Sequence, residues 1–151
     1  MAACGPEAAA VVHRLTQAAF AGHRDLSPPS GALDETLDAV RSDLAEHGGA
    51  LARFEDAPVG CLRLDDRGDH LHVRRLAVDP VHQGRGAGRA LMDWAEAEAR
   101  GRGFREVRIG VRAALAGNLD FYKRRGYSIT GSHSHPGFRV VTWYSMAKRL
   151  G

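Results

Sequence analysis

Hydrophobic positions along the chain alternate between two periods, one of about 3.6 residues and one of 2, and the switches mark the elements. Val11, Leu15, Ala18 and Ala19 share one helical face, and Gly5-Pro6-Glu7 ahead of them supplies the proline and first-turn acid that open a helix. A helix is therefore predicted from about Pro6 to Phe20. Residues 21–32, with Ser27-Pro28-Pro29-Ser30-Gly31, read as a loop. Leu33, Leu37, Val40 and Leu44 set a second amphipathic helix over Asp34–His47, stopped by Gly48-Gly49.

Short alternating runs follow. Ala50–Glu55 and Val59–Leu64 read as strands joined by Asp56-Ala57-Pro58, and Asp65–Asp69 as a second turn. Leu71–Val78 is a third strand with a fault in its pattern. Leu71 and Val73 have one parity, Leu76 and Val78 the other, and the change falls across Arg74-Arg75. A regular strand keeps i, i+2 and i+4 on one face, so the change predicts one extra residue, a β-bulge. A strong helix is predicted from about Gly86 to Arg102, on Leu91, Met92, Trp94, Ala95 and Ala99. A strand over Glu106–Val111 and a short helix over Gly117–Arg125, ended by Gly126, come next. Tyr127–Ser132 and Phe138–Lys148 read as the last two strands, with His133–Gly137 as the bend. The order ααβββαβαββ predicts one α/β (α+β) domain over residues 1–151, with helices packed on a central mixed sheet.

The densest chemistry lies between the third strand and the long helix. Asp79-Pro80 turns the chain, and Gln83-x-x-Gly86-x-Gly88 opens the helix. Glycine lets main chain approach a ligand without a Cβ clash. The first helical turn offers unpaired N–H groups and the positive end of the helix dipole. Together they suit a pyrophosphate, with Arg85 and Arg89 adding charge. A dinucleotide fingerprint needs Gly-x-Gly-x-x-Gly directly after the strand, and the glycines at 84, 86 and 88 do not fit it. A P-loop needs Gly-Lys followed by Ser or Thr, which is absent.

The stretch from Leu76-Ala77-Val78-Asp79-Pro80 through Gln83-Gly84-Arg85-Gly86-Ala87-Gly88-Arg89 to Ala90-Leu91 resembles the acyl-CoA-binding motif of the GNAT superfamily of N-acetyltransferases. Asn118-Leu119-Asp120-Phe121-Tyr122, running to Gly126-Tyr127, is similar to that family's Asn…Phe-Tyr…Gly-Phe segment, and Trp143–Leu150 to its last strand. The resemblance covers roughly residues 50–150 and implies a GNAT-like, mostly antiparallel sheet. It also implies acetyl transfer from acetyl-CoA to a primary amine by direct attack. The amides of about Gly84 to Arg89 would hold the pyrophosphate, with Gln83, Gly84, Arg85, Gly86, Ala87, Gly88 and Arg89 as the loop. Main chain at Leu76, Ala77 and Val78 would pair with the pantetheine amides, the cofactor arm entering where the third and fourth strands splay. Asn118 would sit beside that arm, and Tyr122 would donate a proton to the leaving thiolate. Relatives begin with a strand before the first helix, but only about four residues precede Pro6 here, so a first strand that is short or missing is expected, the sheet edge exposed or used in a homodimer.

Relatives also carry a glutamate just before the Leu-x-Val segment, where this chain has Arg74-Arg75. The general base therefore has to be a water chain or another residue, His72 among the candidates. An Arg74 facing the acceptor pocket would favour an amine that also bears a carboxylate. The missing glutamate leaves a second reading, a non-catalytic acyl-CoA-binding module for sensing or assembly. The pairs His70/His72 and His133/His135 have a spacing that can bind metal, but neither has a neighbouring acid or cysteine at ligand spacing, and no metal is expected.

Composition adds limits. The chain has 151 residues, 44% of them hydrophobic and 26% charged, which is globular. No apolar run approaches the ~20 residues of a membrane span, and the N-terminus does not read as a secretory signal. Two cysteines, Cys4 and Cys61, fit a reducing cytoplasm. The net charge of +3 is too small to imply nucleic acid, although 19 of the 21 basic residues are arginine. The acceptor, a small-molecule amine or a peptide or protein amine, cannot be read from these residues.

Overall fold

The computed structural model describes residues 1–151. Along the chain come β1 (Ala2–Cys4), α1 (Ala9–Phe20), α2 (Leu37–His47), β2 (Gly49–Phe54), β3 (Ala57–Asp66) and β4 (Leu71–Val78). They are followed by α3 (Ala87–Gly101), β5 (Glu106–Arg112), α4 (Ala116–Arg124), β6 (Ser128–His133) and β7 (Trp143–Arg149). The seven strands form one sheet in the order β1-β2-β3-β4-β5-β7-β6, antiparallel except for β4 with β5. The first strand is therefore short rather than missing, three residues paired with the start of β2.

Local chemistry sets the boundaries. Proline at position 6 starts a 3₁₀ turn over Pro6–Ala8, which leads into α1. Helix α2 starts at Leu37 rather than at Asp34, because Thr36 caps it, its Oγ1 accepting from Ala39 N at 3.1 Å. Gly48 ends that helix at φ 78°, the left-handed region that favours glycine. Strand β7 begins at Trp143, not at Phe138. The β6–β7 hairpin closes at His133↔Trp143, and residues 134–142 form a loop held by Ser134 Oγ on the Val140 carbonyl.

Each face of the sheet has its own apolar layer. On one face α1 and α2 bury Val12, Leu15, Val40 and Leu44 against Leu51, Cys61 and Ala77. On the other, α3 buries Leu91, Met92, Ala95 and Ala99 against Leu62, Leu64, Leu71, Val73, Val107 and Ile109. The parity switch in β4 is a bulge, as expected. Cys61 pairs with Ala77 but Arg63 with Arg74, so Leu62 stands opposite two residues, Arg75 and Leu76. Arg75 takes up the extra residue at φ 54°. Leu76 consequently returns to the α3 layer beside Leu71 and Val73, while Ala77 points into the α1/α2 layer.

A bulge increases local twist. Beyond it, β4 and β5 lose contact: their pairing is limited to Leu71↔Val107 and His72↔Arg108. The rest of β4 has a main-chain edge with no strand on its β5 side.

Candidate active site

Where β4 and β5 part, the mouth of the gap is walled by the loop into α3 and by α4. Gly84 and Gly86 there have φ of 78° and 88°. Gly86 is the helix N-cap and offers no side chain to the first turn. The N–H groups from Gly84 to Arg89 donate no hydrogen bond of normal geometry inside the protein, and the first such bond of the helix is Ala90 N to Gly86 O at 3.0 Å. Gly84, Gly86, Ala87, Gly88 and Arg89 of this stretch line a cleft of about 410 Å³, and free N–H groups at a helix start suit an anion. Gln83 closes the loop onto β4 through Nε2 to the Val78 carbonyl, at 3.3 Å. Gly88 sits where a Cβ would stand 3.8 Å from Phe121 and from Val78, so the helix lies close to both walls.

A second cavity, of about 580 Å³, opens on the other side of the gap. Its walls are the bulge of β4, the ends of β5 and β7, and the Pro29–Gly31 loop. Phe20, His23, Leu76, Asn118 and Tyr122 line both volumes and form the passage between them.

Tyr122 is 9% exposed, and its ring meets Phe121 and Tyr127 edge-on at 5.1 and 5.6 Å. No protein group hydrogen-bonds its hydroxyl, and burial raises its pKa well above the ordinary phenol range. His23 is half-buried and lines the same passage; burial, then the Arg112 charge, lowers its pKa below the ordinary 6.5, so the neutral imidazole predominates at pH 7. Burial, then the charges of Arg67 and Arg74, press His72 down to about 4. Neither cysteine lines the passage; burial pushes both thiols up to about 11.

The sequence profile of the Acetyltransferase (GNAT) family matches residues 13–127. The chain belongs to the GNAT acetyltransferase family. Among curated GNAT relatives, an uncharacterized N-acetyltransferase of Methanocaldococcus jannaschii is 32% identical over 112 residues, 70% of this chain and 46% of that protein. The N-terminal acetyltransferase B complex catalytic subunit of Schizosaccharomyces pombe is 33% identical over 85 residues, 54% of this chain and 47% of that one. The chain thus spans under half the length of these relatives. A solved Escherichia coli ribosomal-protein alanine N-acetyltransferase superposes with TM-score 0.80 at 19% identity, covering 99% of this chain and 92% of that one. A Thermoplasma acidophilum N-acetyltransferase solved with coenzyme A superposes with TM-score 0.79 at 14% identity, covering 99% and 100%. Both share the GNAT fold.

Within this GNAT fold, the cleft gathers Leu76, Val78, Gln83, Gly84, Gly86, Ala87, Gly88, Arg89, Asn118 and Tyr122. Two of the residues predicted to bind the cofactor have side chains elsewhere, although the role expected of Ala77 is a main-chain one. Ala77 turns its methyl into the α1/α2 layer, and Arg85 lies on the β2 side near Phe54 and His82. Arg74 lines the second cavity but is already matched, its Nη2 donating to Asp43 Oδ1 at 2.7 Å and to the Leu64 carbonyl at 3.4 Å. The predicted carboxylate reader is thus tied to Asp43, which it shares with Arg63, while its Nε stays buried without a partner. Of the paired histidines, His70 bonds Asp69 at 2.6 Å, His133 bonds Ser145 and stacks on Trp143, and His135 bonds Thr142. Sequence reasoning missed Phe20, His23 and Arg112. The first two lie in or beside a loop without a motif, and Arg112 reads as an ordinary strand-end arginine.

Proposed function

We propose that this chain transfers an acetyl group from acetyl-CoA to a primary amine by direct attack. The supporting observation is the passage at Tyr122, His23 and Leu76, which joins a cleft rich in unpaired amides to a second cavity of acceptor size. The fit to CoA rests on those amides and on the unpaired edge of β4. Gly84 to Arg89 would hold the pyrophosphate, and the main chain of Leu76 to Val78 would pair with the pantetheine amides. Asn118, at the start of α4, would border the same arm. Acetyl-CoA supplies the activated acetyl thioester.

His23 takes the proton of the attacking amine, because it is the neutral imidazole that lines both volumes. A main-chain N–H near Val78 polarises the carbonyl. Tyr122 then gives its phenolic proton to the leaving sulfur. Burial keeps that phenol protonated wherever the amine is neutral, and the same apolar surroundings raise the basicity of the sulfur it serves.

The test is thiol release from acetyl-CoA with a panel of small-molecule and peptide amines, beside calorimetry of CoA binding. Amine-dependent release is expected, with Tyr122→Phe losing roughly 10²-fold in kcat while keeping CoA affinity. CoA binding without release for any amine would favour the non-catalytic module, and no CoA binding would remove both readings.

A further inference from the structure

The second cavity has a charge pattern that narrows the acceptor. Arg74, Arg75 and Arg112 line it, and no aspartate or glutamate does. Arg74 is held by Asp43 at 2.7 Å, although its Nε, like that of Arg75, is buried without a hydrogen-bond partner. The other two guanidiniums have no carboxylate at hydrogen-bond distance.

Behind the bulge, two carboxylates serve three arginines. Arg63 is fully buried and takes Glu35 in a two-pronged contact at 2.5 and 2.9 Å, and Asp43 at 3.2 Å. Asp43 also serves Arg74. Arg75 is left with a distant 3.7 Å approach of its Nε to Glu35, and that Nε is buried without a hydrogen-bond partner. Arg112 has no carboxylate partner; its Nη2 donates to the neutral Pro28 carbonyl. One short segment touches both. Pro28 holds Arg112, and a side chain at Gly31 would start 3.6 Å from Arg75 Nη2. The absence of strong anionic partners agrees with the downward pKa shifts of both groups, caused first by burial.

Two under-compensated guanidiniums in one half-closed cavity repel a cationic body and attract an anion, and their planar forks match a carboxylate. Resting on the acetyl-transfer reading, we propose that the acceptor is an amine whose own molecule carries a carboxylate, which Arg75 and Arg112 bind while the amine reaches the passage at Tyr122. The reader is thus Arg75 with Arg112, not Arg74. Polyamines and other multiply cationic amines are excluded by the same charges.

The test uses the full chain with saturating CoA and matched amines that differ only in carboxylate against carboxamide, spanning amino acids and short peptides, with a diamine as control. Binding is read by calorimetry. For at least one pair the carboxylate member is expected to bind at least about tenfold more tightly, and the diamine not to bind. Arg112→Gln and Arg75→Gln should each narrow that ratio, and Arg112→Lys should retain part of it. CoA affinity and thermal melting of the variants report whether the fold is intact. Equal binding of carboxylate and carboxamide members, a ratio unchanged in folded variants, or no binder in the panel would overturn the proposal. Failure of thiol release while the carboxylate preference stands would instead count against acetyl transfer and leave this subsite in place.

Discussion

Tyr122 and His23 both line the passage, and the opposite duties proposed for them rest on the same burial. An apolar setting penalises whichever form is charged, so it keeps the phenol protonated and the imidazole free to accept. This gives a pH signature. Because the pKa of His23 lies below 6.5, its base form is lost only as pH falls through that lowered value. The rate is expected to fall on the acid side and to stay flat above the His23 value, apart from the acceptor's own ionisation. His23→Ala should lower kcat by roughly 10²-fold and remove the acid limb attributed to the enzyme. A pH profile of kcat measures this; an unchanged limb in the variant would assign the base elsewhere.

At the scale of elements, the glycine loop and the bulge carry the site. Gly86 stands at φ 88° with nothing within 4 Å of where a Cβ would go, so a substitution there acts through the backbone rather than through a clash. Gly86→Val should raise the CoA dissociation constant on the order of tenfold, because the N–H groups at the helix start would be re-aimed at a strain of ~1–3 kcal/mol. Calorimetry reads the affinity, and circular dichroism should show α3 retained. Both features were legible in the sequence because they are local. Leu71/Val73 against Leu76/Val78 encodes the bulge in adjacent residues, and Gly84, Gly86 and Gly88 encode the loop. The strand over Phe138–Thr142 was a misreading for a non-local reason. Val140 and Val141 alternate with nothing, since β7 meets β6 only from Trp143, and both remain exposed, at 68% and 44%. The second cavity was equally hidden. Arg75, Arg112 and His23 are distant in sequence, and only the parting of β4 from β5 brings them to one chamber.

For the molecule as a whole, Glu96 is the tie between layers. It lies on α3 with 4% exposure and accepts from Lys148 of β7 at 2.7 Å, from Arg125 beyond α4 at 3.0 Å and from the Tyr127 hydroxyl at 3.0 Å. Burial alone would raise its pKa, but those donors outweigh it and the carboxyl is held below its ordinary 4.5. Its contribution to stability is therefore complete above about pH 4.5 and is lost as pH falls through the lower folded-state value. Glu96→Gln leaves Lys148 without its carboxylate and Arg125 with Asp93 alone, and should cost roughly 3 kcal/mol, a Tm drop of about 10 °C by calorimetry at pH 7. The same variant should be less sensitive than the parent to acid. A loss under 1 kcal/mol would mean that the three donors find other acceptors.

Arg75 occupies a main-chain conformation that glycine adopts freely and arginine does not. Randomising that codon would therefore set two selections at odds. Survivors chosen only for heat resistance should drift toward glycine, which relaxes the kink, whereas survivors chosen for turnover of an anionic acceptor should keep the guanidinium. The divergence between the two populations would show how much of the distortion is held for the sake of the side chain it displays.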